Sequence, residues 1–286
     1  MTNSARYAVL FKAFFLDEFV IRRLARVVAA APSGDVYLML DETNASAGPS
    51  SFPRIIRYCE ADVIALGFLK CGQGSLFWYN ADYPLYYFQH LWPDYKNFVV
   101  IEYDAVPNIN LDVMVAACTA DAIDFVGQPI AKTLDSYWWT STMLRYYPRA
   151  AVRPTLMCVA LFSAAAVRHL AACRLRQGAE HNPADTKHWP IGETFVGTEL
   201  AVGGFRSRDL ASFGVLTRYD WWPPTHESEL SDCAAEIFVH PVLTGRLYVR
   251  SLFKSGIISG VIIIVKLGAA WLSRRRRGIT MALSRH

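Results

Sequence analysis

The sequence lacks a Gly-x-Gly-x-x-Gly turn behind its first apolar run, and it contains no P-loop. Ordinary dinucleotide binding and P-loop phosphate chemistry are therefore disfavoured. None of its 6 cysteines forms Cys-x-x-Cys, and no Cys/His spacing matches a familiar zinc motif. They read as small hydrophobes in a reducing compartment. Gly 17 and Pro 14 are too few for a collagenous or low-complexity chain. Charged residues are only 19%, against 53% hydrophobic, so apolar surface is ample to offset ordering entropy and a disordered chain is excluded. Charges nevertheless recur through nearly every stretch of the first 250 residues, which excludes a polytopic membrane protein. The stretch MTNSARYAVLFKAFFL, with Asp17 and Glu18 next and no small-residue cleavage site, does not read as a signal peptide. The expected location is the cytoplasm, peripheral to the cytoplasmic face of a membrane.

Basic residues outnumber acidic ones, 29 to 25, giving a net charge of +4. Arg274 to Arg277 and Arg285 supply that excess; without residues 273–286 the count is 24 basic to 25 acidic. The body shows no basic face, so no nucleic-acid partner is expected. Just before the arginines lies IISGVIIIVKLGAAWL, residues 257–272, an apolar run of 16 with Lys266 inside it. A spanning helix needs ~20 such residues. A helix lying in the interface, its arginines on anionic head groups at about 1 kcal/mol each, fits better. The alternative is a buried terminal helix with a solvated basic tail. The expected organisation is one domain over 1–250 and a hydrophobic, polybasic membrane-associating segment over 251–286.

The body alternates between two periods. Tyr7–Phe11, Asp35–Leu40, Asp62–Leu66 and Asn97–Ile101 read as buried strands. Helices are expected at Asp17–Ala31, Phe52–Cys59 and Asp82–Leu91, with Arg22, Arg23 and Arg26 outside the apolar face of the first. Further on, Asp124–Gln128 and Thr155–Phe162 read as strands, and Leu111–Cys118, Ala164–Arg176 and Gly192–Val202 as helices. Tyr219–Trp222 and Glu236–Val239 read as short strands. Such alternation implies an α/β fold with a mainly parallel sheet flanked by helices, whose ligands sit beyond the carboxyl ends of the strands.

The strand NFVVI runs straight into Glu102-Tyr103-Asp104. In extended geometry residues i and i+2 project to one side. Two carboxylates there suit a hard cation, Mn²⁺ or Mg²⁺, shared with a substrate phosphate. The bland alternative is a pair of solvated acids in a turn. Trp78-Tyr79, Trp138-Trp139 and Trp221-Trp222 offer stacking surface or, for most of them, core packing.

This arrangement resembles the GT-A class of nucleotide-sugar glycosyltransferases, whose Asp-x-Asp motif ends a central strand and holds a metal on the donor diphosphate. The resemblance covers residues 6–245 architecturally, with local sequence matches only, and Glu102 departs from the usual first Asp. It implies a GT-A (Rossmann-like) fold and a hexosyltransferase-type enzyme, with surface polysaccharide or glycoconjugate synthesis as its setting. The partners would be a nucleotide-sugar donor, a glycan or lipid-linked acceptor, and an anionic membrane surface for the tail. By the same resemblance Asp104 binds the metal, and Glu102 the metal or donor ribose. Lys12 and Asp41 fall where the family contacts the nucleotide, and His240 where a late His completes the metal or diphosphate site. Glu193, opening a helix, falls where many relatives keep an acid facing the acceptor hydroxyl; as a first-turn acid it also suits the helix dipole. Glu199 is the weaker candidate. Trp221 and Trp222, before Pro223-Pro224, are the candidate acceptor wall. The alternatives are a sugar nucleotidyltransferase, disfavoured because FKAFFLDEF lacks a Gly-rich basic loop, and a non-catalytic glycan-binding or assembly protein of the same fold.

Overall fold

A computed structural model describes residues 7–70, 76–130 and 134–253. The apolar run and arginines of the tail lie outside the described residues. The strands are β1 (Tyr7–Ala13), β2 (Asp35–Asp41), β3 (Ile55–Tyr58), β4 (Asn97–Glu102), β5 (Val106–Pro107), β6 (Phe125–Pro129), β7 (Thr155–Ser163), β8 (Ser207–Asp209), β9 (Thr225–His226), β10 (Phe238–Val239) and β11 (Val242–Leu243). The helices are α1 (Glu18–Ala30), α2 (Glu60–Ala65), α3 (Tyr83–Leu91), α4 (Leu111–Ala120), α5 (Ala164–Glu180), α6 (Gly192–Val202) and α7 (Gly245–Leu252).

Seven strands form one Rossmann-like sheet in the order β3-β2-β1-β4-β7-β6-β8. The β3-β2-β1-β4 half is parallel, while β7 runs antiparallel to both β4 and β6. The sheet is buried on both faces. One face packs Leu10, Phe98 and Phe162 against Phe88, Leu170 and Phe195 of α3, α5 and α6. The other packs Val9, Val99 and Leu161 against Val20, Val27 and Met114 of α1 and α4. That double burial explains the near-continuous apolar strands.

Four local expectations are corrected. The chain is a strand at Ile55–Tyr58 and a helix at Glu60–Ala65, the reverse of the reading for Phe52–Leu66. Ile55-Ile56-Arg57-Tyr58 has the β-branched, alternating character of an edge strand, and it pairs with β2. Asp62 folds back so that its Oδ2 accepts the Cys59 backbone N–H at 2.7 Å, a helix-start contact rather than a strand start. Residues 219–222 form no strand; Tyr219 makes a single bridge to His240. Arg23 is buried, not outside: it pairs with Glu227 at 3.1 Å and lies 4.8 Å from the Phe19 ring centroid. Trp78 and Trp138 are exposed, at 48% and 76%, rather than core residues.

Among the described residues no helix is long and apolar enough to cross a membrane. The 250/251 boundary falls inside α7, where Ser251 and Leu252 are buried.

Candidate active site

Register brings the first two polar groups together. Parallel pairing of β1 with β4 sets Lys12 beside Glu102. Lys12 is buried; its Nζ donates to Ala81 O at 3.1 Å and lies 3.4 Å from Glu102 Oε1. Across the sheet, the Cys158 thiol bonds to Glu102; burial and the carboxylates of Glu102 and Asp104 hold that thiol well above its ordinary pKa. It is therefore a protonated donor. A ligand atom each from Glu102, Cys158 and His240 lies within 4.8 Å of the others.

Asp104 sits just past β4, in a turn closed by Ala105 N–H donating to Glu102 O at 2.9 Å. The C-terminal third locks onto this turn. Strand β10 pairs with β5, and Val242 N–H donates to Asp104 O at 2.7 Å. His240, between β10 and β11, is thereby carried to 3.5 Å from Asp104 Oδ1 through its Nε2. Its Nδ1 lies 2.7 Å from the Asp220 carbonyl and must donate, because a carbonyl only accepts. When His240 is neutral, two acceptors therefore face one another, Nε2 and Asp104 Oδ1. A proton or a cation reconciles them. Burial, the largest single influence, opposes the imidazolium, but Asp104, Glu102 and the Asp220 carbonyl together raise the His240 pKa. Asp104 Oδ1 is buried without a hydrogen-bond partner. Two carboxylates and an imidazole nitrogen are donors that Mn²⁺ and Mg²⁺ accept, so these residues fit such an ion.

Asp41, buried at the end of β2, accepts the Thr43 N–H at 2.9 Å through Oδ1, while its Oδ2 has no hydrogen-bond partner. An orphan acceptor of this kind suits a ligand hydroxyl.

Glu193 opens α6 and is half-buried. The turn leading to it is anchored by a fully buried ion pair. Arg174 of α5 donates to both Asp82 oxygens, at 2.8 and 3.1 Å, and to the Pro190 carbonyl at 2.8 Å. Gly192 packs so tightly there that an added Cβ would lie 2.8 Å from Asp82 Oδ1. Tyr137 OH donates to Glu193 Oε2 at 2.8 Å. Burial raises the Glu193 pKa, Tyr137 lowers it, and Glu102 raises it again, leaving it at about 7. His240 and Lys12 are also among the charges it feels, so Glu193 shares an electrostatic environment with the groups around β1 and β4. A carboxyl poised near neutrality can accept a proton from a hydroxyl.

Exposed Trp138 follows Tyr137; its ring centroid lies 5.7 Å from that of Trp139, which lies 5.5 Å from that of Trp78. Trp221 is exposed and adjoins Asp220, the partner of His240, while Trp222 Nε1 donates to Ser251 O at 3.2 Å. Sequence reasoning missed Tyr137 and Cys158. No local motif marks either residue, and only strand pairing and the placement of α6 reveal them.

No family model and no curated protein matches the chain. Among solved structures it is similar to a "crystal structure of a glycosyltransferase involved in the glycosylation of the major capsid of PBCV-1". Identity is 10%, the match covers 86% of this chain and 98% of that one, and the TM-score is 0.42. At that identity no residue role passes from one chain to the other.

Proposed function

We propose that this chain is a metal-dependent glycosyltransferase that moves a sugar from a nucleotide-diphosphate donor to a glycan or lipid-linked acceptor. The observation that carries the reading is the approach of His240 Nε2 to within 3.5 Å of Asp104 Oδ1, a buried atom that no hydrogen bond satisfies. Glu193, with its pKa at about 7, lies in the same electrostatic environment. The resemblance of the Glu102-Tyr103-Asp104 segment to the GT-A motif agrees with it.

Asp104 and His240, with Glu102, would hold Mn²⁺ or Mg²⁺. Such an ion supplies positive charge to a departing diphosphate. Lys12 holds Glu102 in place, and Asp41 Oδ2 accepts from a nucleoside hydroxyl. Glu193 takes the acceptor hydroxyl proton while that oxygen attacks the anomeric carbon. Tyr137 orients the carboxylate and favours its charged form. Trp138, Trp139 and Trp78 offer a platform for the apolar face of an acceptor sugar, with Trp221 and Trp222 on the His240 side. The tail beyond residue 252 would keep the enzyme at an anionic membrane surface.

The test is a thermal-shift and turnover screen of UDP-, GDP- and dTDP-sugars with and without Mn²⁺. One donor should stabilise the protein only with Mn²⁺ and release nucleoside diphosphate. Asp104→Ala should abolish both effects. Failure of every donor would sink the class, and unchanged turnover by Asp104→Ala would sink the metal assignment.

A further inference from the structure

A second cluster of metal-ligating side chains lies away from Asp104, between α5 and α6. His169 and Cys173 are four residues apart on α5 and so share one face. Glu199 of α6 packs against that face. Its Oε1 lies 2.9 Å from both His169 Nε2 and Cys173 Sγ, and the sulfur is 3.6 Å from the imidazole nitrogen. We propose that His169, Cys173 and Glu199 form a zinc site that ties α5 to α6.

The donor set suits the ion. Nitrogen, sulfur and one carboxylate oxygen are ordinary Zn²⁺ ligands. Tetrahedral bond lengths of about 2.0–2.3 Å place neighbouring ligand atoms about 3.4–3.6 Å apart. The S···N separation of 3.6 Å already meets this. Glu199 Oε1 has to withdraw by about 0.5–0.7 Å as Zn²⁺ replaces the hydrogens it now accepts. One thiolate, one carboxylate and a neutral imidazole balance the 2+ charge. The thiol proton, and any proton on Nε2, pass to solvent, which reaches the cluster through the partly exposed His169. Water from that side fills the fourth position.

The surroundings already orient these ligands. Tyr147 OH donates to Glu199 Oε2, leaving Oε1 for the ion, and Gln177 Nε2 donates to that hydroxyl at 2.8 Å. Arg176 donates to Cys173 Sγ at 3.2 Å, a contact that stabilises a thiolate. The Phe205 ring, 4.9 Å away, braces His169. Such outer partners fix the tautomers and orientations of metal ligands.

The probe is Co²⁺, added to full-length protein stripped with EDTA and then displaced by Zn²⁺. One equivalent of Co²⁺ should give tetrahedral d–d bands and a thiolate-to-cobalt charge-transfer band, both lost on adding Zn²⁺. Cys173→Ser should abolish the charge-transfer band, whereas Cys158→Ser should retain it, which separates this site from the one at Glu102. His169→Ala, at the exposed rim, should weaken Zn²⁺ binding at least tenfold with an unchanged circular dichroism spectrum. The proposal is overturned by a wild-type protein without the band, by a band that survives Cys173→Ser, or by His169→Ala binding Zn²⁺ as tightly as wild type. None of these readouts depends on sugar transfer.

Discussion

Tyr137→Phe isolates the proton-accepting step, because it keeps the ring and removes one hydroxyl. That hydroxyl donates to Glu193 at 2.8 Å and lowers a carboxyl pKa that burial has raised to about 7. A hydrogen bond to a charged group contributes about 1.5–3 kcal/mol. One pKa unit corresponds to about 1.4 kcal/mol, so its loss moves Glu193 up by about 1–2 units. The sign follows directly: the bond favours the carboxylate, and its removal favours the acid. Since the base acts when ionised, turnover rises with pH through the Glu193 pKa. At pH 7 the ionised fraction falls from about a half to about a tenth, so kcat/KM falls about fivefold or more and recovers above pH 9. Nucleoside diphosphate release across pH 5–10 measures this. Carbon-13 NMR of labelled Glu193 follows the same titration without substrate. An acid limb that stays at its wild-type pH, or a loss of equal size at every pH, refutes the assignment of Glu193 as base and Tyr137 as its tuner.

Two stability predictions follow from the same region. The Glu193 pKa rises from 4.5 to about 7 on folding, so its relative stabilisation is complete below about 4.5 and lost as pH rises through about 7. Glu193→Gln cannot ionise; its melting temperature relative to wild type should therefore rise between pH 5 and pH 8, and a constant difference would contradict the shift. Arg174→Met leaves Asp82 buried without its bidentate partner. The cost is about 3–5 kcal/mol in urea unfolding, partly recovered by adding Asp82→Asn. A loss below about 1 kcal/mol would mean that the pair does not anchor the turn before α6.

Much of the sheet was legible because its strands are buried on both faces and stand out as apolar runs. β1, β2, β4 and β7 lie where those runs lie. The exchange of strand and helix over residues 52–66 came from a short segment where periodicity is weak. There, an edge strand of four residues and a capped turn decide the outcome. The direction of β7 carries no local signal at all, since Thr155–Ser163 would be apolar in either orientation. The site divides along the same line. Acids at a strand end are readable one after another in the sequence, as Glu102 and Asp104 are. The thiol beside Glu102 arises from the pairing of β7 with β4, and the Tyr137–Glu193 bond from the packing of α6 beside the turn at Trp138–Met143; neither leaves a mark on spacing. The same holds for His169, Cys173 and Glu199: a helical four-residue spacing is visible, but its third member comes from another helix. Arg23 was misplaced because a long cation with a partner and an aromatic face can occupy an interior position that composition assigns to solvent.

The docking of His240 and β10 onto the turn that holds Asp104 also bears on how the molecule assembles. As the ribosome extends the chain, β1 to β4 emerge first and have most of their strand partners among themselves. Asp104, just past β4, then emerges well before His240 has been made. The turn that carries it gains the cover of β10 and its bond from the Val242 N–H only when the last described segments dock. The final docking event therefore closes the fold and completes the candidate site together. Contacts so distant in sequence are slow to form, so the candidate site should be among the last parts of the described fold to take shape.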